Sequence, residues 1–392
     1  MSRQLLVIGG GIGGLTTAWA AARAGWQARV YEQAPAFTEV GAGVQLGPNV
    51  TGVLRAWGLL EAVQAHAFAP EALVSLDALR GAELARLPLG RDIAQRYGAP
   101  YLTVHRADLH AALLEAVRTQ EVALQPGVRP GVITESADSV SLDVLGPEQP
   151  EGDALVGADG LWSATRAQVW GGAPPRASSH VAYRGLVPMA GLPAVWRDPM
   201  VRAWLGPRLH AVTYPVRAGT MLNVVIVVEQ AVPASHQGWD LPGTGHALRA
   251  ALGPVCAVLH ELIEAVPAWG CWVLHDRPPV AGPQALARGR IALVGDAAHP
   301  MRPYLAQGAA MAIEDAWELG RALSGVTQRV LDVPAALQRY ALGRWQRVAR
   351  VQRRSLRNGV IFHASGPVRL ARDAALRSLG ARLMDVPWLY RY

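Results

Sequence analysis

Gln4-Leu-Leu-Val-Ile8 is a short, largely apolar run of the kind that marks a strand buried on both faces. It runs into Gly9-Gly-Gly11-Ile-Gly-Gly14, and then into a helical stretch from Leu15 to Ala24 that stops at Gly25. A second strand pattern, Gln27 to Tyr31, ends in Glu32. Strand, glycine turn, helix and strand in that order predict a parallel, doubly wound α/β sheet. The strand-then-turn scheme returns twice. Ala154 to Arg166 reads as a buried strand, an Asp159-Gly160 turn and a helix start with Ser163 near its cap. Arg290 to Pro300 reads as an apolar strand, Gly295-Asp296, and a helix beginning downstream. Between about Arg176 and Arg277 the period shortens. Tyr183 to Val187, Val201 to Leu205, His210 to Val216 and Met221 to Glu229 read as strands with Gly-Pro and Ala-Gly turns between them. From Ala335 to Asn358 the period lengthens to that of an amphipathic helix. Arg347, Arg350, Arg354 and Arg357 fall on one of its faces, expected to be solvated or to lie between elements.

Composition narrows the chemistry. The chain has 392 residues, 51% of them hydrophobic and 17% charged, which suits two packed regions and not a disordered solvating protein. All 37 basic residues are arginine, so lysine Schiff bases and a P-loop lysine are excluded. The net charge of +7 is a mild excess that suits small carboxylate substrates as well as nucleic acid. No nucleic-acid reading motif accompanies it. Cys256 and Cys271 form no paired motif, which predicts a reducing, cytoplasmic setting. Cys256-x-x-x-His260 lacks the further ligands that a metal site needs. Arg3 and the apolar stretch after it resemble a secretory leader. The five glycines among residues 9–14 argue against that, because each costs a helix about 1 kcal/mol. No other apolar run approaches the roughly 20 residues of a bilayer span.

The first motif has the order and spacing of a dinucleotide fingerprint. Gly9 permits a tight turn, Gly11 lets the backbone approach a pyrophosphate, and Gly14 lets helix and strand pack closely. The helix N-terminus offers N–H groups to the phosphates, and Glu32 is placed to accept hydrogen bonds from a ribose. Asp296, at the carboxyl end of a strand, is placed to bind a second sugar-like chain such as a ribityl.

These three segments, GxGxxG, GADGxxSxxR at 157–166 and GDAAHP at 295–300, resemble the signatures of the FAD-dependent aromatic hydroxylases. Those are the single-component flavoprotein monooxygenases related to p-hydroxybenzoate hydroxylase. Residues 41–49, 105–109, 299–308 and 358–363 are similar to the branch that hydroxylates salicylate, 3-hydroxybenzoate and 6-hydroxynicotinate, and the likeness runs from residue 2 to about 370. The resemblance implies a Rossmann-like FAD-binding domain built from residues 1–70, 100–176 and 277–325. It also implies an antiparallel-sheet substrate domain, 71–99 and 177–276, and a C-terminal helical region, 326–392. Gly9, Gly11, Gly13 and Gly14 would hold the pyrophosphate, Glu32 the adenosine ribose with Gln33 close by, and Arg106 would reach the pyrophosphate from the side. Val128 would pass the adenine, Asp159 would serve the cofactor and NAD(P)H region, and Asp296 the ribityl and pyrophosphate. Gln45, Gly308, Ala309 and Ala310 would face the isoalloxazine. For Arg106 and Asp159 the competing role is a buried ion pair or a turn cap.

On the strand that carries His210, Val212 and Tyr214, alternation points all three to one face. Taken alone, a strand histidine is more often structural. The resemblance places His210 and Tyr214 at positions that contact the substrate hydroxyl, with His210 as base. Arg184 and Arg302 are candidate carboxylate clamps, Tyr304 shapes specificity, and Gln45 also borders the substrate. The implied activity is hydroxylation of a small hydroxylated aromatic or N-heteroaromatic acid, 3-hydroxybenzoate- or salicylate-like. It would use FAD, NADH or NADPH, and O2, with a flavin hydroperoxide as oxygen donor. A 6-hydroxynicotinate or urate-type substrate is the alternative. An NAD-linked dehydrogenase and a non-enzymatic nucleotide-binding protein are the rival classes. The expected partners are the substrate and O2, with no nucleic acid and no membrane span, in a monomer or homodimer.

Overall fold

The computed structural model describes residues 3–38, 41–144, 149–231 and 244–392. Its contacts divide the chain into two units. The first is Met1–Val40, Leu109–Pro175 and Arg277–Arg354, and the second is Gly41–Asp108, Arg176–Asp276 and Ser355–Tyr392.

The first unit is built on a six-stranded sheet in the order Ala287–Arg288, Ile291–Leu293, Ala154–Gly157, Gln4–Ile8, Gln27–Glu32, Val122–Pro126. All neighbours are parallel except the short edge pair 287–288 with 291–293. Gln4–Ile8 lies inside the sheet with later strands on both sides, so the winding reverses there, which is where open α/β sheets bind ligands. Leu5, Leu6, Val7, Leu155 and Val156 are fully buried, the reason these strands read as continuous apolar runs instead of alternating ones. Helix Ile12–Arg23 packs on helix Gly308–Thr327 where Gly320 lets Ala20 come close. Trp26 Nε1 donates to Leu323 O at 3.2 Å and fastens the end of this contact.

The second unit is built on a seven-stranded sheet in the order Gly270–Asp276, Arg176–Pro188, Met221–Glu229, Leu209–Val216, Met200–Gly206, Ala72–Asp77, Glu83–Pro88. It is antiparallel except where Met200–Gly206 meets Ala72–Asp77. One face packs Leu209, Ala211, Leu222, Val224 and Ile226 against Leu248, Leu259 and Leu262 of helices Gly245–Leu252 and Ala257–Ala265. Side chains alternate along each strand, so His210, Val212 and Tyr214 stand on the opposite face, as their spacing predicts.

Residues 41–108 fall in the second unit. Strand Gly43–Leu46 pairs antiparallel with Leu102–His105, which holds residues 41–108 together. The residues from Ser355 are grouped with the second unit. No helix among the described residues is long and apolar enough to cross a membrane.

Candidate active site

In the first unit the three motifs meet at the carboxyl ends of adjacent parallel strands. Ala158 N donates to Ile8 O at 2.7 Å, and Val294 N to Gly157 O at 3.0 Å. Arg166 Nη1 donates to Ala298 O at 3.1 Å, tying the second motif to the third. Gly9 takes φ +105°, open to glycine, and a Cβ there would overlap the carbonyl of Ala158. A Cβ at Gly14 would overlap the Gly9 carbonyl oxygen. Gly11 is the N-cap of helix Ile12–Arg23 and brings no side chain to it, so the first helical N–H groups are left for a ligand. The turn is thus stripped of side chains and rich in backbone donors, which fits the pyrophosphate of FAD. Gly13 lies in the first turn of the same helix.

Glu32 ends strand Gln27–Glu32. Its Oε2 accepts from Gly10 N at 2.7 Å and its Oε1 from Ala34 N at 2.8 Å. These bonds orient the carboxylate, and each oxygen keeps a second lone pair for a ribose hydroxyl. Gln33 beside it is exposed, and Val128 N donates to Glu32 O at 2.9 Å. Asp296 is exposed in the first turn of helix Gly295–Ala298. Gly308, Ala309 and Ala310 form the first turn of Gly308–Thr327, another helix start without a side-chain cap. Arg302 is half-buried and Tyr304 buried, both between these two helices. Asp159 caps the turn that follows it. It accepts from Ser163 Oγ at 2.6 Å and from Thr165 N at 2.9 Å, so it shapes the start of helix Ala164–Trp170.

A buried ion network sits behind the third motif. His299 Nε2 lies 2.6 Å from Asp315 Oδ2, Asp315 Oδ1 accepts from Arg344 Nε at 2.8 Å, and Glu314 accepts from Arg344 and Arg347 at 2.7 Å. Burial pushes the Asp315 carboxyl up, but His299 and Arg344 outweigh it and hold the group below its usual value. Arg347 therefore lies between elements, one of the two expected roles, whereas Arg350 and Arg357 are exposed.

In the second unit His210 is buried on Leu209–Val216. Burial, reinforced by the neighbouring His363 and His180, holds its pKa well below the ordinary histidine value. It is a neutral imidazole at pH 7. Tyr214 is buried on the same face. Burial raises its phenol, and its hydroxyl donates to Gly43 O at 2.6 Å. Its proton is thus committed to the backbone, which leaves the oxygen to accept. Gln45 is buried on strand Gly43–Leu46 and accepts from Tyr101 at 2.6 Å. Arg184 stacks over Trp272, 4.9 Å from the ring centroid, and its buried Nε finds no hydrogen-bond partner among the described residues. Arg106 opens helix Arg106–Arg118, and its backbone N–H donates to Ala42 O at 3.1 Å.

The FAD binding domain family matches residues 2–355 of the chain. The chain is 39% identical over 395 residues to 3-amino-4-hydroxybenzoate 2-monooxygenase PtmB3 of Streptomyces platensis, covering 99% of this chain and 96% of that protein. It is 37% identical over 390 residues to 3-hydroxybenzoate 6-hydroxylase of Polaromonas naphthalenivorans, covering 98% and 95%. Among solved structures it is similar to Klebsiella pneumoniae HpxO complexed with FAD and uric acid. The TM-score is 0.86 at 26% identity, over 99% of this chain and 96% of that one. An FAD-dependent monooxygenase of aromatic compounds, with NAD(P)H as co-substrate, is what these matches and motifs define. The chain belongs to the FAD binding domain family.

Proposed function

We propose that the chain hydroxylates a small hydroxylated aromatic carboxylic acid, of the 3-hydroxybenzoate kind, and that Arg184, His210, Tyr214 and Gln45 recognise it. One observation carries this reading. A buried neutral imidazole and a half-buried guanidinium, whose buried Nε has no hydrogen-bond partner among the described residues, stand on the same sheet face. The pair matches an acid with one carboxylate and one ring hydroxyl. Arg184 binds the carboxylate, a charge-assisted bond that orients the ring. His210 takes the hydroxyl proton and makes the ring electron-rich ortho and para to the oxygen. Tyr214, its hydroxyl fixed by Gly43 O, bounds the ring on the same sheet face. The first unit holds FAD through Gly9, Gly11, Gly13 and Gly14, with Glu32 on the ribose and Asp296 on the ribityl. When bound, FAD supplies the electron transfer and oxygen activation.

The test is aerobic NADH and NADPH consumption with 3-hydroxybenzoate, 3-amino-4-hydroxybenzoate, salicylate, 6-hydroxynicotinate and urate, with product analysis for each. Conversion of a hydroxy acid in preference to urate, which has no carboxylate, supports the reading. Conversion of urate alone contradicts it. Arg184→Met is expected to raise KM for the preferred acid roughly tenfold to a hundredfold, the value of one charged hydrogen bond. FAD content is expected to stay unchanged. An unaltered KM would remove Arg184 from substrate binding.

A further inference from the structure

We propose that His363 and Glu229 form, with His210, a proton relay that carries the substrate's hydroxyl proton from the buried base to solvent. This inference rests on the functional reading above, in which His210 accepts that proton. Three elements meet to build the relay. His210 lies on Leu209–Val216, Glu229 ends the neighbouring strand Met221–Glu229, and His363 directly follows helix Val333–Phe362. His210 Nδ1 lies 2.8 Å from His363 Nε2, and His363 Nδ1 lies 3.3 Å from Glu229 Oε1. Backbone bonds lock the junction. Arg208 N donates to His363 O at 3.0 Å, and Glu229 N to Arg208 O at 2.9 Å. The path climbs outward, from a His210 that is 3% exposed to a Glu229 side chain that is 31% exposed.

The tautomers follow from the far end. A carboxylate only accepts, so His363 carries its proton on Nδ1 and presents a lone pair at Nε2. His210 must then donate from Nδ1, which puts its own lone pair on Nε2, as a general base requires. When Nε2 takes the substrate proton, a cation forms in a buried site, an expensive state if it persists. His210 Nδ1–H passes to His363 Nε2, His363 Nδ1–H passes to Glu229, and Glu229 releases a proton to water. One proton leaves and both rings return to neutrality with their protons on the opposite nitrogens. Reprotonation of the product oxygen along the same path restores the starting tautomers.

Other charged groups converge here. His180, on strand Arg176–Pro188 opposite Glu229, stacks on His363 with centroids 4.8 Å apart and planes 16° apart. Arg208 Nε donates to Glu229 Oε2 at 3.3 Å, which orients the carboxylate. Phe362 meets the His210 ring edge-on. Ligand atoms of His180, Glu229 and His363 lie within 4.8 Å of one another, a spacing that invites a metal ion. The stacked rings argue against one. Imidazole lone pairs lie in the ring planes, and two nearly parallel planes do not converge on a single ion at bonding distance of about 2 Å.

The experiment mixes FAD-loaded enzyme with 3-hydroxybenzoate in a stopped-flow instrument and follows proton release with a pH indicator. Hydroxylated product is measured in parallel. His363→Gln keeps a hydrogen-bonding side chain but cannot relay. It should bind the acid within about threefold of wild type and release the proton at least about tenfold more slowly, a modest share of what proton transfer contributes to catalysis. Imidazole added to His363→Gly should restore release, and Glu229→Gln should slow it about threefold to tenfold. In His363→Gln the acid limb of kcat/KM should move to higher pH, because a neighbour that depresses His210 is gone. Release at the wild-type rate in His363→Gln overturns the relay. So does slowed release with weakened binding and no rescue by imidazole. A wild type that converts the acid alongside an unchanged variant overturns the relay alone, whereas a wild type that hydroxylates no acid overturns the functional reading and the relay with it.

Discussion

His210→Ala should keep its FAD and lose between roughly a hundredfold and ten-thousandfold of its hydroxylation rate at neutral pH, the range attributed to a positioned general base. A ring hydroxyl near the phenolic reference pKa of about 10 is almost wholly protonated at pH 7, and the ring is then a poor oxygen acceptor. The wild-type imidazole is ready to take that proton. Burial, His363 and His180 all disfavour its charged form, so it stays neutral at pH 7. The sign of the pH dependence follows. Activity requires the neutral base and is lost as pH falls through the His210 pKa, so the wild-type acid limb should lie below the ordinary histidine value of about 6.5. The variant should instead gain rate toward alkaline pH as the substrate ionises by itself. Product formation by mass spectrometry across pH 5–9 measures both effects. An alanine variant with wild-type product yield at pH 7 would remove His210 from the chemistry.

Gly14→Ala should yield a protein that cannot retain FAD. The added methyl would overlap the Gly9 carbonyl oxygen, which is backbone and cannot rotate away. Gly9 cannot yield easily either, since it holds φ +105° against the Ala158 carbonyl. Relief must come from parting strand Gln4–Ile8 and helix Ile12–Arg23. That disturbs the phosphate-facing turn and costs about 1–3 kcal/mol, as for other overpacked sites. Gly52→Ala is the matched control. It lies in helix Pro48–Ala56 with only Ala99 Cβ near, at 3.9 Å, and should stay yellow with unchanged or slightly raised stability. FAD per chain after gel filtration, with thermal melting, distinguishes the two. Full flavin content in Gly14→Ala would contradict the close packing assigned to the turn.

Much of this site is legible in the sequence because its signals are local. Each nucleotide motif is a strand ending in glycine and acid, and that punctuation survives without any tertiary information. The face shared by His210 and Tyr214 follows from a period of two. Other features depend on partners far along the chain. His210 meets His363 across 153 residues, and only the terminal stretch around Asn358 hinted at that segment. Arg344 is fully buried on Glu314 and Asp315, yet helical spacing alone leaves open whether Arg347 and its neighbours are solvated or lie between elements. Tyr214 donates to a backbone carbonyl, a partner that no side-chain pattern announces. The pairing of Gly43–Leu46 with Leu102–His105 is another such distant partnership. Asp159 was readable in part: Ser163 and Thr165 downstream of it are the residue types that a carboxylate at a helix start engages.

The central claim is that the second unit's buried base and cation present a hydroxyaromatic acid for oxygenation at the expense of NAD(P)H. The most direct measurement supplies 3-hydroxybenzoate, NADH or NADPH, and oxygen-18 gas to the FAD-loaded wild type and weighs the product. A dihydroxybenzoate carrying one heavy oxygen, formed as the nicotinamide is consumed, is the predicted result. Nicotinamide oxidation that leaves every hydroxy acid of the panel unchanged, or product whose new oxygen comes from water, would contradict the account.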